Sequence, residues 1–316
     1  MADVAHDGAT IGVDLGGTRA KAGLVDASGA IIARDLVAVP EERDEDDIVS
    51  LLTELVRGLD PGGGAPIGIA AAGVIDRRHG IVRESPNFPE WKDFALAKRL
   101  AEASGRRVHL ENDANAVIYG EMACGAARGC EDIVGYTLGT GVGGGIILGG
   151  ELWRGARGMA GELGHVTVVR DGGRPCGCGN HGCLEQYVGA VGIRRTLEER
   201  GGKLAELADS RDAPRDLAKA ADAGDDEARA VFAEIGRHLG VAAAAAIHTL
   251  DVLTIVLAGG ITHAQHLFVP ALEAELRART FASMCEGVRV VVGTLGEDAG
   301  VLGAAALARM AAGTER

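Results

Sequence analysis

The chain has 316 residues, enough for two domains of ordinary size; 47% are hydrophobic and only 3% aromatic, so aliphatic side chains must fill the cores. A net charge of -13 with no block of Lys and Arg argues against a nucleic-acid or anionic-membrane surface as the main function. No apolar run approaches membrane-spanning length, and Met1 to Thr10 lacks both the basic and the apolar part of a signal peptide, so the cytoplasm is the expected location.

In chain order, strands are predicted over 9–15, 20–26 and 30–39, the first ending in the turn Gly16-Gly17. Residues 44–59 put acids first and Ile48, Leu51, Leu52, Leu55 and Leu59 at helical spacing, which predicts a helix. A buried-type strand over 66–72, a helix over 95–104, a strand over 107–110 and a helix over 114–124 follow. The second half opens the same way, with a strand over 132–138, the turn Gly139-Thr140-Gly141 and a strand over 144–148. Two strand–turn–strand units of this kind predict an internal duplication. Residues 184–251 read as largely helical with an interruption near 212–214. A strand over 253–257 capped by Ala258-Gly259-Gly260, a helix over 267–278, a strand over 288–292 and a helix over 300–310 close the chain. Alternating strands and helices predict an α/β fold with helices on both sheet faces. The domain boundary is expected within 115–126, giving domains of 1–118 and 119–316, with the last helix (300–311) a candidate for packing back on the first.

Three groups of residues carry possible chemistry. In Asp14-Leu15-Gly16-Gly17-Thr18 the bare turn can cradle phosphate oxygens through backbone N–H groups, and Asp14 can hold Mg²⁺ directly or through water. This is neither a P-loop nor a dinucleotide fingerprint, and alone it reads equally as a hairpin turn. Its near-repeat, Gly139-Thr140-Gly141-Val142-Gly143-Gly144-Gly145, makes a pair of turns that can grip a polyphosphate. The second group is Glu111-Asn112-Asp113-Ala114-Asn115, where a strand becomes a helix. One of Asn112 and Asp113 suffices as helix cap, which leaves an acid at the carboxyl end of a strand, where α/β proteins bind ligands. Phosphoryl transfer to a hydroxyl needs such a proton acceptor, and Asp113 fits.

The third group is the most specific. Gly161-Glu162-Leu163-Gly164-His165 is followed by Cys176-Gly177-Cys178-Gly179-Asn180-His181-Gly182-Cys183-Leu184-Glu185, whereas Cys124, Cys130 and Cys285 are scattered. Clustered thiols in a reducing compartment point to metal rather than disulfides. Three Cys and one His make a closed tetrahedral zinc set, hence a structural one, with His165 and His181 both eligible as fourth ligand. A zinc-bound His165 would keep its other nitrogen for a substrate hydroxyl, and the metal would fix the flanking Glu162 and Glu185 as further acceptors. Two features are weaker. Gly259-Gly260 can let an adenine lie against backbone or simply form a tight turn. Asn87, placed in a Pro-rich loop between domains, suits local turns and hydroxyl binding alike, with Trp91 expected to anchor that loop by packing.

Taken together, these motifs resemble the ROK family (bacterial repressors, uncharacterised frames and sugar kinases), and are most similar to its glucokinases, from about Thr10 to Ala308. The resemblance implies an actin-like ATPase (ribonuclease H-like) fold: two α/β domains from a duplicated unit with a central cleft. The smaller N-terminal domain would carry the sugar and phosphate side, and the larger one the zinc loop and nucleotide site. Asp113 is implied as base, with hexose contacts from Asn87, Asn112, Asp113, Glu162, His165 and Glu185. Asp14, Gly16, Gly17, Thr18, Thr140 and Gly141 would serve ATP and its Mg²⁺, with Gly259 and Gly260 near the nucleoside. Zinc would be held by His165, Cys176, Cys178 and Cys183, and His165 as fourth ligand rests on the analogy. A homodimer or homotetramer is also implied, with no nucleic-acid or membrane partner.

One departure is Arg19 after Thr18, where Lys is usual. If that side chain touches phosphate, donor affinity shifts. N-acetylmannosamine, N-acetylglucosamine, allose or fructose as acceptor, and polyphosphate as donor, are alternatives within the class. A sugar-sensing repressor is disfavoured by the 13 residues before Asp14, too few for a helix-turn-helix module, and a catalytically dead scaffold by the retained Asp113 and both turns.

Overall fold

The computed structural model describes residues 8–41 and 44–314; residues 1–7, on which the reading of the chain's start largely rests, lie outside them. The chain forms two compact units. Unit 1 holds the residues up to Gly129, Leu152–Ala160 and the stretch from Glu297; unit 2 holds Cys130–Glu151 and Gly161–Gly296.

Unit 1 opens with β1 (Thr10–Leu15), β2 (Arg19–Val25) and β3 (Ile31–Ala38), an antiparallel run in which Asp14 pairs with Lys21. Helix α1 (Glu45–Leu59) is capped by Asp44, whose carboxylate accepts the Asp46 N–H, and three acids in its first turn face the positive end of the helix dipole. Ile48, Leu52, Leu55 and Leu59 are buried as their spacing requires. Strand β4 (Ile67–Ala71) then runs parallel to β1. A hairpin of β5 (Val74–Asp76) and β6 (Ile81–Glu84) follows; three and four residues are too few to show a period. After α2 (Leu96–Ser104), β7 (Val108–Asn112) completes the sheet in the order β3-β2-β1-β4-β7 and runs directly into α3 (Asp113–Ala123).

Unit 2 repeats the pattern. Its first strands are β8 (Ile133–Leu138), β9 (Val142–Leu148) and β10 (Glu151–Leu152), whose last residue already belongs to unit 1. A helical stretch comprises α4 (Glu185–Val188), α5 (Ala190–Arg200), α6 (Gly202–Ala208), α7 (Ala213–Asp222) and α8 (Asp226–Leu250). The interruption foreseen near 212–214 is the start of α7, where Asp212 accepts the Arg215 N–H and a proline occupies the first turn. Then come β11 (Thr254–Ala258), α9 (Gln265–Arg279), α10 (Ala282–Cys285) and β12 (Arg289–Val292). The sheet order is β10-β9-β8-β11-β12, with β8 antiparallel to β9 and parallel to β11. In both sheets the first strand is central, the next two lie to one side and two parallel strands lie to the other, so the turns after β1 and β8 occupy equivalent positions.

Against the expectation from uninterrupted apolar runs, α8 as a whole reaches the length and apolarity of a membrane span. It buries Val231, Phe232, Ile235, Leu239 and Ile247 in the core of unit 2 and packs closely on α9: a Cβ at Gly236 would lie 2.2 Å from the Phe268 carbonyl oxygen.

The last helix, α11 (Ala299–Thr314), belongs to unit 1. It rests on β1 and β4 with no room for side chains between, since a Cβ at Gly12 would lie 1.9 Å from the Val301 oxygen and one at Gly68 1.9 Å from the Ala304 oxygen. It meets α3 as closely, a Cβ at Gly303 falling 1.7 Å from the Ala116 oxygen. The break expected between 118 and 119 therefore lies inside a helix that α11 holds, and unit 1 runs on to Gly129.

Candidate active site

In unit 1, β7 delivers the acidic motif to the start of α3. Asn112 is the cap: its side-chain oxygen accepts the Asn115 N–H at 3.1 Å, while its amide donates to the Gly73 oxygen at 3.2 Å. Asp113, the first helical residue, is thereby released from capping and accepts the N–H of its neighbour Ala114 at 2.8 Å. Burial pushes its carboxyl above the usual carboxylate range. Asp14, near the end of β1, has its pKa raised to about 6, chiefly by burial and then by the charge of Asp113, with Lys21 pulling the other way. A buried acid pair of this kind is what a divalent cation relieves, so Asp14 and Asp113 suit Mg²⁺.

The first turn is closed by the Gly16 N–H donating to the Arg19 oxygen at 3.0 Å, which commits that donor. Arg19 itself is exposed. Asn87 stands over the turn, where a Cβ on Gly17 would come within 3.2 Å of its Cγ. Its loop is not an inter-domain linker, as the prolines suggested, but part of unit 1 between β6 and α2. The loop is pinned by Phe88 stacked on Trp91 (ring centroids 3.9 Å apart) and Phe94 set edge-on to Trp91, all three buried.

In unit 2, the second turn is closed by the Gly139 N–H on the Gly141 oxygen (3.0 Å) and held by the Ala190 N–H on the Gly139 oxygen (2.9 Å). Glu185, the first residue of α4, accepts the Val142 N–H at 3.1 Å, and its carboxylate fills the space a Cβ on Gly141 would need, 2.3 Å away. Thr140, Gly141 and Glu185 are thus one group. Gly259 has φ +96° and lies against the end of β8, where a Cβ would sit 2.5 Å from the Leu138 oxygen; Gly260 is open.

His165, Cys176, Cys178 and Cys183 each offer a ligand atom within 4.8 Å of the others. The Cys178 and Cys183 sulfurs are 3.7 Å apart, and the Cys176 sulfur is 3.5 Å from His165 Nδ1. Two thiolates on one tetrahedral zinc stand about 3.8 Å apart for Zn–S bonds of about 2.3 Å, so these edges fit such an ion. His181 is exposed and outside the cluster. All six cysteines are free thiols. Glu162 is exposed just before the turn Leu163–His165, whose His165 N–H donates to the Glu162 oxygen at 3.1 Å. Arg174 fastens the cysteine loop to α4, which bears Glu185, and to α5, donating to the Gln186 oxygen at 2.6 Å, the Gly192 oxygen at 3.1 Å and Thr196 Oγ1 at 2.9 Å. No local pattern marks Arg174, a lone arginine before a proline. The same holds for Arg154, whose Nε donates to Glu111 at 2.7 Å behind Asp113.

A sequence profile of the ROK family matches residues 10–311. A glucokinase of Thermotoga maritima is 40% identical over 306 residues, covering 94% of this chain and 96% of its own. Among solved structures, a ROK family glucokinase from Streptomyces griseus in complex with glucose and AMPPNP is 35% identical with a TM-score of 0.79, over 96% of this chain and 99% of that one. A ROK hexokinase from Thermus thermophilus is 33% identical with a TM-score of 0.82, over 98% and 100%.

Proposed function

Because the chain belongs to the ROK family, we propose that it is an ATP-dependent glucokinase, phosphorylating D-glucose at O6. The family's actin-like ATPase fold accounts for the two sheets of matching strand order. The observation that carries the reading to a mechanism is Asp113: an acid freed from capping by Asn112, buried beside Asp14, with its pKa raised. A carboxylate in that condition accepts a hydroxyl proton more readily than an exposed one.

In this reading Asp113 takes the proton of the glucose 6-hydroxyl as its oxygen attacks the γ-phosphorus, and ADP leaves. Asn87, Asn112, Glu162, His165 and Glu185 hold the other sugar hydroxyls. Gly16, Gly17, Thr18, Thr140 and Gly141 line the phosphates, with Gly17 and Thr18 supplying the N–H groups the first turn leaves over, and Gly259 and Gly260 bound the nucleoside. Mg²⁺, held by Asp14 with Asp113 nearby, would spread the phosphate charge when bound. Zinc on His165, Cys176, Cys178 and Cys183 would lock the loop that carries Glu162 to Glu185, and metal bound through His165 Nδ1 leaves Nε2–H to donate to the sugar. Metal analysis giving well under one zinc per chain would remove that part. A cytoplasmic location, where ATP is, and a homodimer or homotetramer complete the reading.

Coupled ADP release over a panel of hexoses, with ATP and with polyphosphate, tests it. Glucose with ATP is expected to give the highest kcat/KM. Preference for an N-acetylated hexose would reassign the acceptor, preference for polyphosphate would reassign the donor, and no sugar-dependent turnover at all would end the kinase reading.

A further inference from the structure

Behind Asp113 lies a buried cluster that the proposed chemistry leaves unexplained. Resting on the reading of Asp113 as base, we propose that Arg154 is a positioning residue for phosphoryl transfer, holding Asp113 in place through Glu111. Glu111 is only 3% exposed and accepts at both oxygens. One takes Arg154 Nε at 2.7 Å; the other takes the Asn112 backbone N–H and the Asn115 side-chain amide, each at 3.1 Å. A single carboxylate thus grips the residues on both sides of the base. Asn112 closes the frame by bonding the Asn115 N–H and the Gly73 oxygen. Asp113 takes its own place from this frame, since the bond it accepts comes from the adjacent Ala114.

Arg154 is in turn anchored in its own segment. Its Nη1 donates to the Leu152 oxygen at 3.2 Å, and its carbonyl accepts the Ala160 N–H at 3.0 Å. Stability alone is a poor reason for this arrangement. Among the described residues Arg154 Nη2 is buried without a hydrogen-bond partner, as is His109 Nε2 beside it. A buried ion pair contributes little that an apolar pair of equal volume would not, whereas an unpaired buried donor is costly. What the pair does supply is a fixed orientation of the carboxylate on which residues 112 and 115 hang, and catalysis is sensitive to small displacements of a reacting group.

The test uses the intact chain as R154M, R154K, E111Q and the double variant R154M/E111Q, with D113N as reference. Steady-state kcat and KM, glucose Kd by calorimetry and thermal melts are measured for each. For R154M, kcat is expected to fall about 100-fold, the cost of a small misplacement, while glucose Kd stays within about threefold. R154K, which keeps a cation opposite Glu111, is expected to recover at least about tenfold of that loss, and the double variant to lose no more than the worse single one. A folded R154M with kcat within about threefold of wild type overturns the proposal, as does a double variant whose loss is the product of the single losses. Should R154M fail to fold, E111Q and R154K decide: loss of kcat without loss of glucose affinity in E111Q supports the role, and unchanged kcat in E111Q overturns it. If D113N retains wild-type kcat, the reading of the base fails first and takes this proposal with it.

Discussion

Replacing Asp113 with asparagine keeps the shape of the side chain and its bond to Ala114 but removes the proton acceptor. In D113N, kcat is expected to fall by about three powers of ten while glucose Kd by calorimetry changes little, because positioning survives and general-base assistance does not. Equal losses in both quantities would mean that the residue mainly binds. A second test concerns His109, whose pKa burial, with the nearby cations Arg77 and Arg154, lowers to about 4 from an ordinary 6.5. A depressed histidine binds fewer protons folded than unfolded, so its contribution to stability is complete above pH 6.5 and is lost as pH falls toward about 4. The loss amounts to about 3 kcal/mol at most. H109Q should therefore show a smaller drop in Tm between pH 7 and pH 4 than wild type, and an equal drop would remove His109 from the account. The site motifs were legible because chemistry demanded particular residues at particular spacings: Asp113 next to a second capping residue, and thiols separated by one and by four residues. Arg154 and Arg174 were not, since Arg154 reaches Glu111 across 43 residues and Arg174 reaches Gln186, Gly192 and Thr196 across 12 to 22, and no local pattern marks a hydrogen bond of that span.

Most elements followed from apolar periodicity and from caps, as α1 shows with Asp44 before its acidic first turn. The β5–β6 hairpin and β10 were missed because strands of two to four residues leave no period to read. The return of α11 to the first unit was foreseen, but not how it seats there: Val301, Leu302, Ala304, Ala305, Leu307 and Ala308 are all buried, so its faces do not distinguish one neighbour from another. Its glycine contacts supply the missing rule. G303A would drive a Cβ to 1.7 Å from the Ala116 oxygen, backbone against backbone with no side chain free to yield. A loss of about 3 kcal/mol or more is expected, read as a collapse of the melt or of soluble yield. Gly58, exposed near the end of α1 with nothing within 4 Å of its Cβ position, is the control. G58A should raise stability by about 0.5 kcal/mol through helix propensity and a less flexible unfolded chain. If G303A melts like wild type, α11 is not seated as described.

For the molecule as a whole, the internal duplication was readable from two similar turns, but the division of the chain was not, because unit 1 is assembled from three separate stretches. A chain ending at Gly296 would lack α11 and uncover the bare strips at Gly12 and Gly68. Such a truncation is expected to leave unit 2 resistant to limited proteolysis while residues before Gly129 are digested, and sugar-dependent turnover is lost. Resistance of the early residues equal to that of the full chain would show that α11 is dispensable to unit 1.

The same interlacing governs how the protein is made. Strands β1 and β4 leave the ribosome early, yet the helix that covers them, α11 (Ala299–Thr314), is encoded roughly 230 to 290 residues later. At about 5–20 residues per second that surface waits on the order of ten to sixty seconds for its lid. Unit 2, though begun second, has all its segments in hand first. The nascent polypeptide must therefore carry a half-finished first half alongside a finished second one, and slow decoding or a scarcity of holding chaperones would be felt in the part that was started first.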